Sequence, residues 1–320
     1  MIRKNKLLYT SSIIGSLFLI TSCSGGSGDG TGESADESSD CTIGFSIINQ
    51  QDIFFTQMVD GAKEKADDLG CELKVANADN DPTAQSSDIE RLVTQQVDGL
   101  IVNPIDVDGS LPAIDDARDF NVPIVSIDTN IGEEHYDSFV GVDNGEAAKE
   151  FAEYMLEKGF GDGTAYGTIE ARISEIQNRR VDEFRSVVDE AGANFVQAVD
   201  GENQNEQAAT AATDLLTAQS ELDYIYTSGT PATLGAVSAL EDMDDPDTKV
   251  IGWDLTEEII QGIDDGLVEA IVQQNAHKEG ESAVEELHSI LNGEDPQGEI
   301  LIPIDIVTQE NVDDFRSIYE

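Results

Sequence analysis

The chain has 320 residues, with 66 acids against 17 lysines and arginines, and a formal charge of −49. A surface of that sign repels nucleic acid and excludes a phosphate-backbone partner, and acids in such excess suit a saline medium that screens their self-repulsion. The three histidines, His135, His277 and His288, show no metal-ligand spacing, and no Gly-x-Gly-x-x-Gly or phosphate loop is present, so the expectation is no metal and no cofactor.

Residues 1–22 read as an export leader. Arg3, Lys4 and Lys6 precede an apolar stretch at 7–20 that Thr10, Ser11, Ser12, Gly15 and Ser16 interrupt, too short and too polar for a spanning helix. Leu19-Ile20-Thr21-Ser22-Cys23 resembles a bacterial lipobox. Cys23 is therefore expected to carry a lipid that holds the chain on the outer side of the cytoplasmic membrane. Residues 23–40 contain no large apolar side chain and read as a flexible acidic tether.

From Thr42 onward, apolar strands alternate with amphipathic helices. Strands are predicted at 42–48, 72–77, 99–103, 123–127 and 138–142, with helices at 55–69, 83–97 and 109–121. Asp81-Pro82, Asn103-Pro104 and Asn121-Val122-Pro123 mark turns. A second series follows Asp143-Asn144-Gly145, with a helix at 145–158 and strands at 164–169, 194–199, 223–227, 249–252 and 268–273. Its remaining helices are at 176–191, 204–219, 231–242 and 255–265; a helix at 278–292 and a strand at 300–307 end the pattern. The alternation predicts an α/β protein with two doubly wound parallel-sheet lobes. Cys41 and Cys71 precede the first two strands, which start at the same edge of a parallel sheet, so a disulfide between them is expected in an oxidising compartment.

Ligands bind past the carboxyl ends of such strands. After the first strand come Asn49-Gln50-Gln51-Asp52-Ile53-Phe54-Phe55, amides and an acid beside two rings. The strand Thr42-Ile43-Gly44-Phe45-Ser46-Ile47-Ile48 followed by Phe54-Phe55, and Met58-Val59-Asp60-Gly61-Ala62, is similar to the opening of the ribose-type periplasmic sugar-binding proteins. The likeness continues in Asp98-Gly99-Leu100-Ile101-Val102-Asn103-Pro104, Val122-Pro123-Ile124-Val125-Ser126-Ile127-Asp128, Val142-Asp143-Asn144, Val250-Ile251-Gly252-Trp253-Asp254 and Ile271-Val272-Gln273-Gln274. It covers essentially everything after Asp40.

The resemblance implies a type I periplasmic-binding-protein fold with three crossovers: lobe 1 at 41–142 plus 275–303, lobe 2 at 143–274 plus 304–320. It implies a small sugar or polyol held between the lobes and delivered to an ABC permease. Residue by residue, it implies that Phe54 or Phe55 stacks on the ligand, that Asp128 and Asp254 take its hydroxyls, that Arg180 holds two oxygens, and that Gln274 adds an amide at the hinge. Either Gln51 or Asp52 stands where the family often carries a ligand asparagine; Trp253 is expected to pack beneath the site. Thr129, Thr227-Ser228-Gly229-Thr230-Pro231 and Asn203 replace a cation, an amide and a ring of the ribose type, which argues against ribose itself. A receptor feeding chemotaxis or signalling is the alternative. A glycosidase built on Asp128 and Asp254 is disfavoured because the family uses these acids as acceptors, and a repressor effector domain is disfavoured by the leader.

Overall fold

The computed structural model describes residues 41–243 and 246–319. The leader, Cys23 and the tether lie outside the described residues. The first series is β1 (Cys41–Ile47), α1 (Ile53–Leu69), β2 (Cys71–Asn77), α2 (Pro82–Thr94), β3 (Gly99–Val102), α3 (Val107–Asp119), β4 (Ile124–Ile127) and β5 (Ser138–Gly141). The second runs α4 (Asn144–Glu157), β6 (Ala165–Glu170), α5 (Glu175–Glu190), β7 (Asn194–Asp200), α6 (Asn205–Ala218), β8 (Tyr224–Thr227), α7 (Thr230–Glu241), β9 (Lys249–Trp253), α8 (Glu257–Asp264) and β10 (Val268–Gln273). Then come α9 (Ala276–Leu291), β11 (Glu299–Leu301) and β12 (Asp305–Val307).

The strands form two six-stranded sheets of matching order, β11-β5-β4-β3-β1-β2 and β12-β10-β9-β8-β6-β7. All pairings are parallel except that of β12 with β10. In each sheet the order turns back at the first strand of its series, β1 or β6, which opens a crevice at the carboxyl ends. The chain passes between the sheets three times: after β5, after β10 and between β11 and β12. The expected strand at 300–307 is thus two short strands in different sheets. Pro303 between them has no N–H for a ladder, which ends one pairing and frees the chain to cross.

Local chemistry sets the element ends. Asp52 caps α1 by accepting from the Phe54 N–H, and Gly70 closes that helix with a left-handed φ of 73°. Asp81 caps α2, with Pro82 pre-set for the first turn. Short strands such as β3, β4 and β5 are buried along their whole length, as a sheet covered on both faces requires. In the first sheet, α1 and α9 cover one face and α2 and α3 the other. A side chain at Gly61 would run into the His277 carbonyl, and one at Gly280 into the Met58 carbonyl, so the two glycines let α1 and α9 touch backbone to backbone. The second sheet packs a cluster of rings, including Phe184 stacked on Tyr226 at 4.1 Å between centroids.

Cys41 and Cys71 open β1 and β2, stand opposite each other in register, and are joined by a disulfide with Cα atoms 4.7 Å apart. On the chain-entropy model, closing a loop of this length stabilises by about 3–4 kcal/mol. Replacing both cysteines by alanine is therefore expected to lower the unfolding free energy by about that amount in a denaturant titration. Thiol titration of the unfolded, unreduced protein should find neither sulfur free; two reactive thiols, or an unchanged midpoint, would refute the bridge.

Candidate functional site

The two sheets place an aspartate at equivalent points. Asp128 follows β4 and Asp254 follows β9, the third strand from the crossover edge in each sheet. Both have left-handed backbones, with φ of 63° and 62°. Their N–H groups donate to Val140 O and Val272 O on the neighbouring strand, each at 2.8 Å. A left-handed residue other than glycine is uncommon and persists where surrounding bonds hold it. Here the turn ends the strand and holds a carboxylate at its carboxyl edge.

Arg180, on α5, is 5% exposed. Its guanidinium lies 3.8 Å from the centroid of the Trp253 ring. Nε donates to Asn144 Oδ1 at 2.7 Å and Nη1 to the Ser228 carbonyl at 3.2 Å. Nη1 also faces Asp254 Oδ2 at 3.8 Å, while the other Asp254 oxygen accepts from Gln274 Nε2 at 2.8 Å. Trp253 is fully buried, and its Nε1 donates to Tyr226 Oη at 2.9 Å, so the indole is a platform beneath the cation. Arg180, Asp254 and Gln274, distant in sequence, form one group joined by an ion pair and a hydrogen bond.

On the first sheet, Asp128 Oδ2 accepts from Asn103 Nδ2 at 3.0 Å. Gln85 braces Asn103 by donating to its carbonyl at 2.8 Å. The Asn103 Oδ1 is buried, with no donor to it among the described residues. After β1, Asn49 Oδ1 accepts from the N–H groups of Gln51 and Asp52, shaping the turn into α1. Gln51 is exposed, with its amide held by Asp79 Oδ1 at 2.5 Å; it makes no bond to the Arg180 group. Asp52 serves as the helix cap and lies within electrostatic range of Asp254. Phe54 and Phe55 meet edge to face at 5.3 Å and are partly buried against the first sheet's core. A cavity of about 830 Å3 opens between residues of the two series, including Pro104, Asp128 and Thr129 from one and Asn144, Ile173 and Asn203 from the other. Of the expected site residues, Asp128 alone lines it.

Burial dominates the titration of this region. It raises the carboxyls of Asp128 and Asp254 above the usual range, opposed by the Asn103 bond and Arg180 for the first and by Arg180 and the Gln274 bond for the second. It lowers Arg180, opposed chiefly by Asp254. A further acid, absent from the sequence expectations, is Glu279 on α9: it is fully buried, neither carboxylate oxygen has a hydrogen-bond donor among the described residues, and burial with the nearby charges of Asp128 and Asp254 pushes its pKa well up. Its spacing carried a signal. Glu279, Ala283 and Leu287 recur every fourth residue, which places this acid on the apolar stripe of its helix.

A family model described as periplasmic binding protein domain matches residues 43–295. The ribose import binding protein RbsB of Bacillus subtilis is 27% identical over 92% of this chain and 96% of its own length. A solved periplasmic ribose ABC transporter structure from Conexibacter woesei superposes with a TM-score of 0.79 at 26% identity, covering 88% of this chain and 96% of that one. An ABC transporter solute binding protein from Bacillus halodurans, solved with bound myo-inositol, gives a TM-score of 0.75 at 27% identity, covering 89% of this chain and all of that one.

The raised Glu279 pKa has a definite sign for stability. Below the unfolded-state carboxylate range, near pH 4, the group is neutral in both states and its burial is tolerated; as pH rises through the folded pKa, that contribution is lost. Urea midpoints of the wild type minus those of Glu279→Gln should therefore fall as the pH is raised above about 4. A difference that rises with pH would mean that the carboxylate is stabilised in the fold.

Proposed function

This chain belongs to the periplasmic binding protein domain family, and we propose from that premise that it is an extracytoplasmic receptor that captures a small sugar or sugar-like polyol. Like the family, it acts by holding a solute, not by turnover. The observation that carries the reading is the group Arg180–Asp254–Gln274 on the second sheet, joined by an ion pair and a hydrogen bond, with the equivalent Asp128 on the first sheet near enough to feel the charges of Arg180 and Asp254. The relatives' names and structures, which speak of ribose and of bound myo-inositol, support the polyhydroxylated class.

The chemistry follows from the geometry. Carboxylates take hydrogen bonds from ligand hydroxyls, Arg180 donates to two oxygens at once, and an amide such as Gln274 does either. Arg180 is already oriented by its indole platform, so little order is lost on binding. Phe54 or Phe55 supplies an apolar face for the ring's C–H side. Of the two polar candidates after β1, Asp52 is the better placed, because the Gln51 amide is taken by Asp79. The departures at Thr129, Asn203 and Thr227-Ser228-Gly229-Thr230-Pro231 speak for a ligand other than ribose.

We read lobe 1 as 41–142 plus 275–303 and lobe 2 as 143–274 plus 304–320, turning about the three crossovers. Ligand contacts to both lobes favour the closed form, so binding shifts an open–closed equilibrium. Closed receptor then passes the solute to an ABC permease, with lipid on Cys23 keeping it at the membrane.

A thermal-shift screen of pentoses, hexoses and cyclitols identifies the ligand, since binding raises apparent stability. With the best hit, Asp254→Ala should weaken binding at least about tenfold by calorimetry, and Glu175→Ala at the cavity mouth about twofold or less. Equal effects would sink the site. Small-angle scattering should show compaction on saturation with that hit, and an unchanged radius of gyration would rule out closure.

A further inference from the structure

Two segments that set this chain apart from the ribose type, Asn203 and the turn at 227–231, are distant in sequence and meet in space through Gln177. Gln177 sits in the first turn of α5, three residues before Arg180 and on the same side of the helix. Its Nε2 donates to Asn203 Oδ1 at 2.8 Å, and its Oε1 accepts from Ser228 Oγ at 2.8 Å. The carbonyl of the same Ser228 accepts from Arg180 Nη1 at 3.2 Å. Bonded groups thus run from Asn203 through Gln177 and Ser228 to the buried arginine.

The outer end of this chain faces the cleft. Asn203 lines the cavity between the two series. Glu202 and Asn203 both have left-handed backbones, with φ of 53° and 55°, and Asp200 Oδ1 braces the turn by accepting from the Glu202 N–H at 2.9 Å. Residues other than glycine persist in that conformation where their surroundings hold them. At the inner end, a side chain on Gly229 would come within 2.8–3.0 Å of the Gln177 amide, so the glycine keeps the space that the amide fills.

The two walls of the cavity differ in chemistry. Phe139, from the first series, is an aromatic residue of its lining, and the second series contributes none among the described residues. A flat C–H face of a sugar or cyclitol is met best by a ring, whereas a hydroxyl standing off that face needs a hydrogen-bonding group. At Asn203 the second series offers an amide that is tied at one end to Gln177 and borders the cavity. A hydroxyl both donates and accepts, so it completes the Ser228–Gln177–Asn203 chain in either sense of its bonds.

We propose that Asn203 is a specificity-determining residue and Gln177 its positioning residue, and that the site selects a polyol ring with an axial hydroxyl turned to the second lobe over its flat, all-equatorial epimer. The inference rests on the sugar or polyol reading of the cleft and narrows it.

The test is calorimetry on the whole chain with epimer pairs: myo-inositol against scyllo-inositol, D-galactose against D-glucose, and L-arabinose against D-xylose. In at least one pair the axial member should bind about fivefold or more tighter, the worth of a good hydrogen bond. Gln177→Leu should bring that ratio to about one. So should Asn203→Gly, which removes the amide at a left-handed position that glycine adopts without strain. Binding without an axial preference would overturn this inference and leave the polyol reading intact. So would a preference that survives in both variants, or an equal loss for both members of a pair, which would make Gln177 a general brace of Arg180. Binding of no sugar or cyclitol at all would overturn both readings.

Discussion

The site depends on one buried cation and how it is held. Arg180 would be expensive to enclose alone. It is tolerated because the Trp253 ring lies under the guanidinium, Asn144 and Ser228 take its N–H groups, and Asp254 faces its charge. These partners come from three places in the chain: Asn144 from the first helix of the second series, Ser228 from the turn after β8, and Trp253 with Asp254 from the end of β9. Arg180 is thus buried only where α4, β8 and β9 are packed together, and the indole beneath it is itself pinned to Tyr226. A ligand meeting Arg180 meets a group whose geometry folding has already set.

The repeated sheet order explains why the opposing acids occur in matching places. Asp128 and Asp254 end equivalent strands, turn through the same left-handed conformation and anchor their N–H groups on the next strand in the same way. The architecture presents the pair, while their partners differ: Asn103 for one and Arg180 with Gln274 for the other.

The contact between α1 and α9 links the rest of the first wall to the hinge. Gly61 and Gly280 allow backbone approach, so α9, which enters just after the second crossover, sits at a fixed height against the helix that carries Phe54 and Phe55. That height puts Glu279 at the carboxyl edge of the sheet, where a donor is missing, while Glu286 finds three. The acids that dominate the composition are mostly solvated, and the enclosed ones, such as Asp128, Asp254, Glu279 and Glu286, differ in the donors that reach them.

Most of the fold was legible in local pattern. Buried parallel strands announce themselves as short apolar runs, helices by apolar spacing and by caps such as Asp52, Asp81 and Gly70, and the alternation of the two fixes the α/β class. The pairing of Cys41 with Cys71 also follows from neighbouring strands sharing an edge. Local pattern failed at 300–307, because an apolar run reads alike whether it stays in one sheet or crosses at Pro303 into another. In the site, Arg180, Asp254 and Gln274 were named from the likeness to a family, but their bonding to one another was not readable, since hydrogen bonds between distant residues depend on three-dimensional closure. Gln51 looked as eligible as Asp52 until the Asp79 contact separated them. Glu279 is hidden in the sequence for the same reason: an acid on an apolar stripe is visible there, but whether donors surround it is decided only when helix and sheet pack and exclude water.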